Sequence, residues 1–341
     1  MLDLTRLQAP IVLAPMAGGF NTPALAAAVA DGGGVGSFGF AYSTPEAIDQ
    51  SLTATKGMTS GPLNANFFVF SDVNEPSADQ YQQAEAAIRA LAPRDLFDVE
   101  PPTSPFFPDL AAQIEPVWRH RPAVLTFHFG IPHDSIIQQA HDLDICVGVT
   151  ATCLSEALAI EAAGADFIVA QGWEAGGHRG CFDPSRPDEA LEVRVLTAQL
   201  AKAVSLPVVA AGGLMNAADV AQVIAKGACA AQLGTAFLAC PEAGTSQSHR
   251  RFLLAESGRE TAFTWAFSGR PARGIRNRFM QAMEGRPLLP FPLQNTLTGG
   301  LRRWAGASGN NEYQSVWAGT GVSALQQVSA RKLMERLVKA A

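Results

Sequence analysis

The chain has few charged residues and no long hydrophobic segment. Charged residues make up 16% of the 341 residues, and the net charge of −6 comes without a Lys/Arg cluster, which argues against a nucleic-acid partner. No apolar run approaches the ~20 residues that cross a bilayer. The first ten residues also lack the charged-then-apolar pattern of a signal peptide. We therefore expect a soluble cytoplasmic protein without a membrane partner.

The sequence is also poor in cysteine. Its five cysteines form no CxxC pair and no His/Cys cluster at metal-ligand spacing, so we expect no metal site. Most of them fall in apolar segments, which predicts buried, reduced thiols. They are Cys146, Cys153, Cys181, Cys229 and Cys240.

Hydrophobic residues are abundant, at 48%, and they recur as short runs separated by helical segments. This alternation predicts a parallel sheet. Eight strand-like runs can be counted, which favours a (β/α)8 TIM barrel, an α/β fold with its site at the carboxyl ends of the strands. An open doubly wound sheet would place GxGxxG after the first strand, where this chain reads PMAGG. The predicted strands are 11–14, 35–40, 63–70, 123–129, 146–150, 166–170, 207–211 and 228–233.

Two regions depart from the alternation. Residues 71–110 contain six prolines and a predicted helix over 78–91, and we interpret them as an insertion that roofs the active site, with a surface excursion as the alternative. After residue 240, 268–293 shows little periodicity, 311–321 predicts an exposed loop, and 324–340 predicts a final helix. The expected organisation is a barrel of residues 1–70 and 111–241, with a small capping domain and C-terminal extension from 71–110 and 242–341.

The most distinctive stretch is 170–180, AQGWEAGGHRG, which follows the predicted strand 166–170. Its glycines permit positive φ and leave amide groups free to meet a ligand. His178 is its one side chain that can change charge near neutral pH. A glycine-rich turn with a solvent-exposed histidine is the alternative interpretation.

The last two predicted strands end in AAGGL and QLGTAF. Loops at these positions of a barrel commonly bind phosphate through backbone amides, which suits a tightly held nucleotide such as FMN. The glycines could instead serve only tight turns. Polar strand-end residues elsewhere suit the donors and acceptors of a flavin ring, although each alone is more often a core residue. They include Met16, Asn66, His128, Gln171 and Gln232.

Several of these motifs together resemble the class I nitronate monooxygenases, formerly called 2-nitropropane dioxygenases. The resemblance covers about residues 9–240 and returns at 293–295 and 315–319. It rests on APMAGG (14–19), FHFG (127–130), QGWEAGGHRG (171–180), AGGL (211–214) and QLGT (232–235).

This resemblance implies a TIM barrel that holds FMN and oxidises alkyl nitronates, such as propionate 3-nitronate, with O2 to a carbonyl compound and nitrite. His178 matches the active-site histidine, as a general base on nitroalkanes or as a positive charge, and His128 matches a second histidine near the substrate. Tyr313 and Trp317 are candidate substrate-binding residues. The expected flavin contacts, from motifs and strand ends together, are Pro15, Met16, Asn66, Gln171, Gly176, Gly177, Gly212, Gly213, Gln232, Leu233, Gly234 and Thr235.

Other functions remain open at this stage. Flavin-dependent enoyl-acyl-carrier-protein reductases, which use NAD(P)H, have a related glycine–histidine loop. A flavin-binding regulatory barrel without turnover is a third possibility. The chain also lacks the lysine that some family members carry near the tyrosine loop, so the resemblance assigns no role in substrate choice to a cation there. Monomer and homodimer are both compatible with the sequence.

Overall fold

The computed structural model describes residues 1–91, 99, 101–255, 258 and 260–338. Pro93 of the predicted insertion and positions 339–340 of the predicted final helix lie outside these residues.

The secondary structure alternates strands and helices up to residue 233 and then becomes mixed. The strands are β1 (Ile11–Leu13), β2 (Gly36–Gly39), β3 (Leu63–Phe68), β4 (Val124–His128), β5 (Cys146–Ala151), β6 (Phe167–Gln171), β7 (Gly177–His178), β8 (Val208–Ala211), β9 (Ala230–Leu233), β10 (Thr261–Thr264) and β11 (Ala272–Ile275). The helices are α1 (Pro23–Asp31), α2 (Pro45–Lys56), α3 (Ala78–Arg89), α4 (Leu110–His120), α5 (Asp134–Asp142), α6 (Leu154–Ala162), α7 (Val193–Ala203), α8 (Ala217–Ile224), α9 (Gln247–Ala255), α10 (Arg278–Ala282), α11 (Leu293–Leu297), α12 (Gly299–Ser308) and α13 (Ala330–Val338).

Eight parallel strands form the barrel, in the order β1-β9-β8-β6-β5-β4-β3-β2. The two ends of this sheet meet beside β2, where the Leu13 amide donates to the Val35 carbonyl and the Val35 amide donates to the Ile11 carbonyl, both at 2.9 Å. β5 and β6 are buried at every residue, as expected for strands covered on both faces. The predicted (β/α)8 barrel is confirmed.

The early helices begin where the sequence predicts them. The Thr22 hydroxyl accepts a hydrogen bond from the Leu25 amide at 3.1 Å, and Pro23 occupies the first turn of α1. Thr44 caps α2 in the same way, followed by Pro45. A capping hydroxyl before a proline fixes the first turn, because the missing proline N–H would be unpaired there anyway.

The sequence did not predict α4 or a second, antiparallel sheet in the order β10-β11-β7. β11 lies inside the segment 268–293, which shows little periodicity. All four of its residues are buried, including Arg273, so polar and apolar positions do not alternate. β7 has only two residues and is defined by pairing with β11, in which Ala272 lies opposite His178.

The tail divides between two places. Part of it shares a buried cluster with α3 of the insertion, where Ala87 and Ile88 pack with Phe267 and Phe279. α13, which begins at residue 330 instead of the predicted 324, packs against the barrel through Leu333 and its neighbours in a cluster with α1 and α8.

Two further expectations can be compared with the structure. Of the five cysteines, only Cys146 and Cys240 are buried and the other three are half-buried, so the prediction that most are buried is wrong. The described residues contain no helix with the length and apolar character needed to cross a membrane.

Candidate active site

A cavity of about 460 Å³ opens at the carboxyl ends of the barrel strands. All twelve residues expected to contact a flavin line it, together with His128, His178 and Trp317. The described residues of the insertion 71–110 do not line the cavity, which differs from the expected roof. The tail supplies that side instead, through Asn295, Arg302, Gln314, Ser315 and Trp317.

Tyr313 is not part of the cavity, and the prediction of an exposed loop is wrong for this residue. Its side chain is buried, with 9% exposure, and its hydroxyl donates to the Leu91 carbonyl at 3.2 Å. The ring packs near Phe279, 6.3 Å between centroids. Trp317 is half-buried and lies 5.7 Å from the His178 ring. Both residues are aromatic and lie in the same glycine-rich segment, so the sequence does not indicate that one is buried away from the cavity and the other lines it.

The loops after β8 and β9 form one corner of the cavity. Gly212 and Gly213 have φ of 130° and 67°, the region that favours glycine. The amide N–H groups of Gly212, Gly213 and Gly234 donate no hydrogen bond to any of the described residues. The Thr235 hydroxyl accepts from the Gly319 amide at 3.0 Å and retains its own proton. Free amides and a hydroxyl at this corner of a barrel fit a phosphate group.

Amide side chains occupy the floor of the cavity. Asn66 donates from Nδ2 to the Thr126 hydroxyl at 3.0 Å, which leaves its Oδ1 as an acceptor toward the cavity. Both polar atoms of the Gln171 side chain form hydrogen bonds. Nε2 donates to the His178 carbonyl at 2.9 Å, and Oε1 accepts from the Gly180 amide at 2.7 Å. Gln171 therefore also holds the glycine-rich loop in place.

The loop that carries His178 is fixed by buried ionic contacts. The Arg179 guanidinium is almost fully buried and binds both carboxylate oxygens of Asp188, at 2.7 and 2.9 Å. It also donates to the Gln171 carbonyl. A bidentate arginine–carboxylate pair has fixed geometry, so it orients the residue next to it in the chain.

His178 is held by a serine from the tail. Its Nε2 lies 2.9 Å from the Ser268 hydroxyl, which also lies 3.1 Å from the Arg270 carbonyl. A hydroxyl can donate to either neighbour, so Ser268 accommodates both neutral tautomers of His178. The hydrogen bonds of the described residues do not use Nδ1. Three phenylalanine rings lie within about 6 Å of the imidazole: Phe68 at 6.0 Å, Phe129 at 5.8 Å and Phe291 at 5.6 Å.

His128 has both ring nitrogens engaged with the protein. Its Nε2 lies 3.2 Å from the His178 carbonyl and its Nδ1 lies 3.0 Å from the Thr150 hydroxyl. A carbonyl can only accept, so Nε2 donates and Nδ1 accepts from Thr150. This arrangement positions the His178 backbone.

Both histidines are neutral at pH 7. Burial, with smaller contributions from His128, Arg270 and Arg302, lowers the pKa of His178 to about 3. Burial also lowers the pKa of His128 to about 4. The expectation that His178 carries a positive charge therefore does not fit the protein without ligand.

Among the described residues that line the cavity, Arg302 is the one arginine or lysine, and sequence reasoning missed it. It lies on α12, and its guanidinium donates to Asn295 and Thr298. In the sequence, positions 295, 298 and 302 have the spacing of one helix face. The structure places Asn295 on α11 and Arg302 on α12, with Thr298 at the junction of the two helices. That spacing was the only signal available in the sequence.

Three histidines with lowered pKa values predict that stability falls with acidification. The pKa is lowered to about 4 in His249 and His128 and to about 3 in His178, whereas histidines of an unfolded chain titrate near 6.5. The neutral histidines contribute their full share to the free energy of unfolding above about pH 6.5. As the pH falls toward 4, each histidine loses ~1.4 kcal/mol of this contribution per pH unit. We expect Tm to fall between pH 7.5 and 5, and to fall less in His249→Phe. An equal fall in both proteins would contradict this account.

The fold and the cavity define a TIM barrel with a ligand-sized cavity at the carboxyl ends of its strands. The chain matches the family model "Nitronate monooxygenase" over residues 1–340, and it belongs to that family of oxidoreductases. It is 39% identical to the nitronate monooxygenase of Paraburkholderia phytofirmans over 99% of this chain and 93% of that protein. It is 38% identical to the nitronate monooxygenase of Pseudomonas aeruginosa over 98% of this chain and 97% of that protein. The structure of nitroalkane oxidase from Streptomyces ansochromogenes superposes with a TM-score of 0.90 at 36% identity, covering 97% of this chain and 95% of that one. Membership implies a flavin cofactor.

Proposed function

We propose that the chain uses FMN and O2 to oxidise alkyl nitronates, including propionate 3-nitronate, to carbonyl compounds and nitrite. The observation that carries this proposal is the setting of His178, whose imidazole packs against Phe68, Phe129 and Phe291 and meets the Ser268 hydroxyl at Nε2. Desolvation in this setting lowers the pKa of His178. A base with a lowered pKa is poorly matched to proton abstraction from a neutral nitroalkane near pH 7, because an effective base titrates near the working pH. A nitronate arrives already deprotonated and needs no such base.

The binding site for FMN is inferred from the unused donors of the cavity. The phosphate is expected at the amides of Gly212, Gly213 and Gly234 with the Thr235 hydroxyl, and the ring beside Asn66 and the other contacts predicted from the sequence. When bound, the flavin supplies the electron acceptor that amino-acid side chains lack.

The neutral His178 is proposed to orient the substrate. With the Ser268 hydroxyl donating to Nε2, the imidazole carries its proton on Nδ1 and can donate it in a hydrogen bond to a nitronate oxygen. Phe68, Phe129 and Phe291 exclude water on that side, which strengthens the hydrogen bond. His128 keeps the His178 backbone in position through its carbonyl.

We further propose that residues 71–110 and 242–341 serve as a cap and C-terminal extension for the FMN-binding barrel of 1–70 and 111–241. The cluster shared by α3 and the tail supports the cap. The stack of Phe107 on Phe70, 4.9 Å apart, and of Phe70 on Phe291, 5.7 Å apart, connects the insertion to a ring that packs against His178.

The test is product analysis with the FMN-loaded protein and propyl-1-nitronate in air. We expect O2 consumption with formation of nitrite and propanal. NAD(P)H oxidation coupled to reduction of a 2-enoyl thioester, without nitrite formation from the nitronate, would favour the reductase alternative. A flavin-loaded protein that performs neither reaction would favour a regulatory barrel.

A further inference from the structure

Arg302 is a half-buried cation at the wall of the cavity, and its hydrogen-bond acceptors among the described residues include no carboxylate. Its Nε donates to the Thr298 hydroxyl at 3.2 Å, and its Nη2 donates to the carbonyl and side-chain oxygens of Asn295, at 2.6 and 2.9 Å. All three acceptors are neutral. Within the described part of the chain, no ion pair includes Arg302.

An unpaired guanidinium is costly to bury, because neutral acceptors replace only part of its hydration. Burial lowers the pKa of Arg302, which reflects this cost, although an arginine remains charged at neutral pH. Helix packing alone does not require a charge at this position. A cation held at the wall of a ligand cavity is explained if an anion enters the cavity and pairs with it.

The position of Arg302 distinguishes this anion from the other negative groups expected in the cavity. The phosphate corner is formed by the loops after β8 and β9, and the nitronate is expected at His178. Arg302 lies close enough to both His178 and Tyr42 to affect their pKa values, and Tyr42 also lines the cavity. The Phe68 ring packs against both the His178 ring, at 6.0 Å between centroids, and the Tyr42 ring, at 5.7 Å. The Arg302–Tyr42 side of the cavity and His178 therefore share one aromatic neighbour.

We propose that Arg302, together with the Tyr42 hydroxyl, binds a carboxylate at the end of the substrate remote from the nitronate. This inference rests on the proposed function and assigns its specificity to one residue pair. A guanidinium matches a carboxylate with two parallel N–H donors, and a phenol adds a third donor. The Tyr42 hydroxyl is protonated at pH 7, because the usual pKa of a tyrosine is about 10. The site would then prefer a short nitronate with a terminal carboxylate over an alkyl nitronate of the same length.

The test compares two three-carbon substrates in the FMN-loaded protein: propionate 3-nitronate, which has the carboxylate, and propyl-1-nitronate, which has a methyl group there. Arg302→Leu should raise KM for propionate 3-nitronate by about 10- to 100-fold, the range for loss of a charged hydrogen bond. KM for propyl-1-nitronate should change by less than about threefold. Arg302→Lys should recover part of the loss. Arg303→Leu, which removes an exposed charge from the same helix, is the matched control.

Binding without turnover separates this proposal from the proposed function. Anaerobic flavin-absorbance titrations with 3-nitropropionate and 1-nitropropane should show that Arg302→Leu weakens only the former, in a variant that keeps its FMN and its Tm within a few degrees. If the wild-type protein oxidises no nitronate but binding still depends on Arg302, the proposed function fails and the carboxylate site stands. Equal losses for both ligands, or no loss for either, would overturn the carboxylate site.

Discussion

Gly213→Asp is expected to give a folded protein that purifies without flavin. Gly213 has φ of 67° and its amide is unused by the described residues. An aspartate there would place a carboxylate in the corner assigned to the FMN phosphate, and like charges in contact cost several kcal/mol. We expect FMN binding weaker by at least ~1,000-fold. The measurements are the flavin-to-protein absorbance ratio and Kd from quenching of FMN fluorescence.

Two controls separate charge from backbone strain. Gly164 has a similar φ of 81° at the end of the α6 segment, where an added Cβ meets nothing within 4 Å, so Gly164→Asp should retain FMN. A Cβ at Gly213 would lie 2.9 Å from the Glu174 Cβ. Gly213→Ala introduces this contact without the charge, and its FMN affinity should be intermediate. FMN bound normally by Gly213→Asp would mean that the phosphate lies elsewhere.

His178→Asn is expected to keep FMN and to lower kcat/KM for propyl-1-nitronate by at least ~100-fold. This is the range for removal of a positioned donor from a reacting anion. The asparagine is shorter, so it cannot contact both the Ser268 hydroxyl, now 2.9 Å from Nε2, and the substrate. Steady-state kinetics with preformed nitronate measure the effect, and the visible spectrum confirms the flavin content.

His133→Asn is the matched control, because His133 is an exposed residue that caps α5 through a side-chain hydrogen bond that asparagine can replace. Its kinetics should equal those of the wild type. Ser268→Ala should lower kcat/KM less than His178→Asn does, because the imidazole remains but loses the partner that orients it. Wild-type kinetics in a flavin-loaded His178→Asn protein would remove His178 from the mechanism.

The barrel was predictable because its signals are local. Strands such as β5 and β6 are continuous apolar runs, and the Thr-Pro starts of α1 and α2 satisfy their own first-turn amides. The order of the parallel strands then follows from short right-handed crossovers. The clustering of the predicted strand-end residues in one cavity is a consequence of that topology, since all carboxyl ends face one side.

The parts that escaped prediction depend on contacts between residues distant in sequence. β7 exists as a strand only because β11, almost a hundred residues later, pairs with it. Tyr313 is buried through a contact with Leu91, and Ser268 reaches His178 from the tail. The charge state of His178 follows from its burial, which a sequence motif does not specify.

The central claim is that the substrate is an anion oxidised by the bound flavin. The most direct test is anaerobic addition of propionate 3-nitronate to the FMN-loaded protein at pH 7, followed by flavin absorbance, with freshly dissolved 3-nitropropionate as the comparison. We expect the nitronate to bleach the flavin rapidly and the nitro compound to cause no bleaching on the same time scale. Admission of air should then reoxidise the flavin, with release of nitrite. A flavin that the nitronate leaves oxidised, or that both compounds reduce at equal rates, would contradict the central claim.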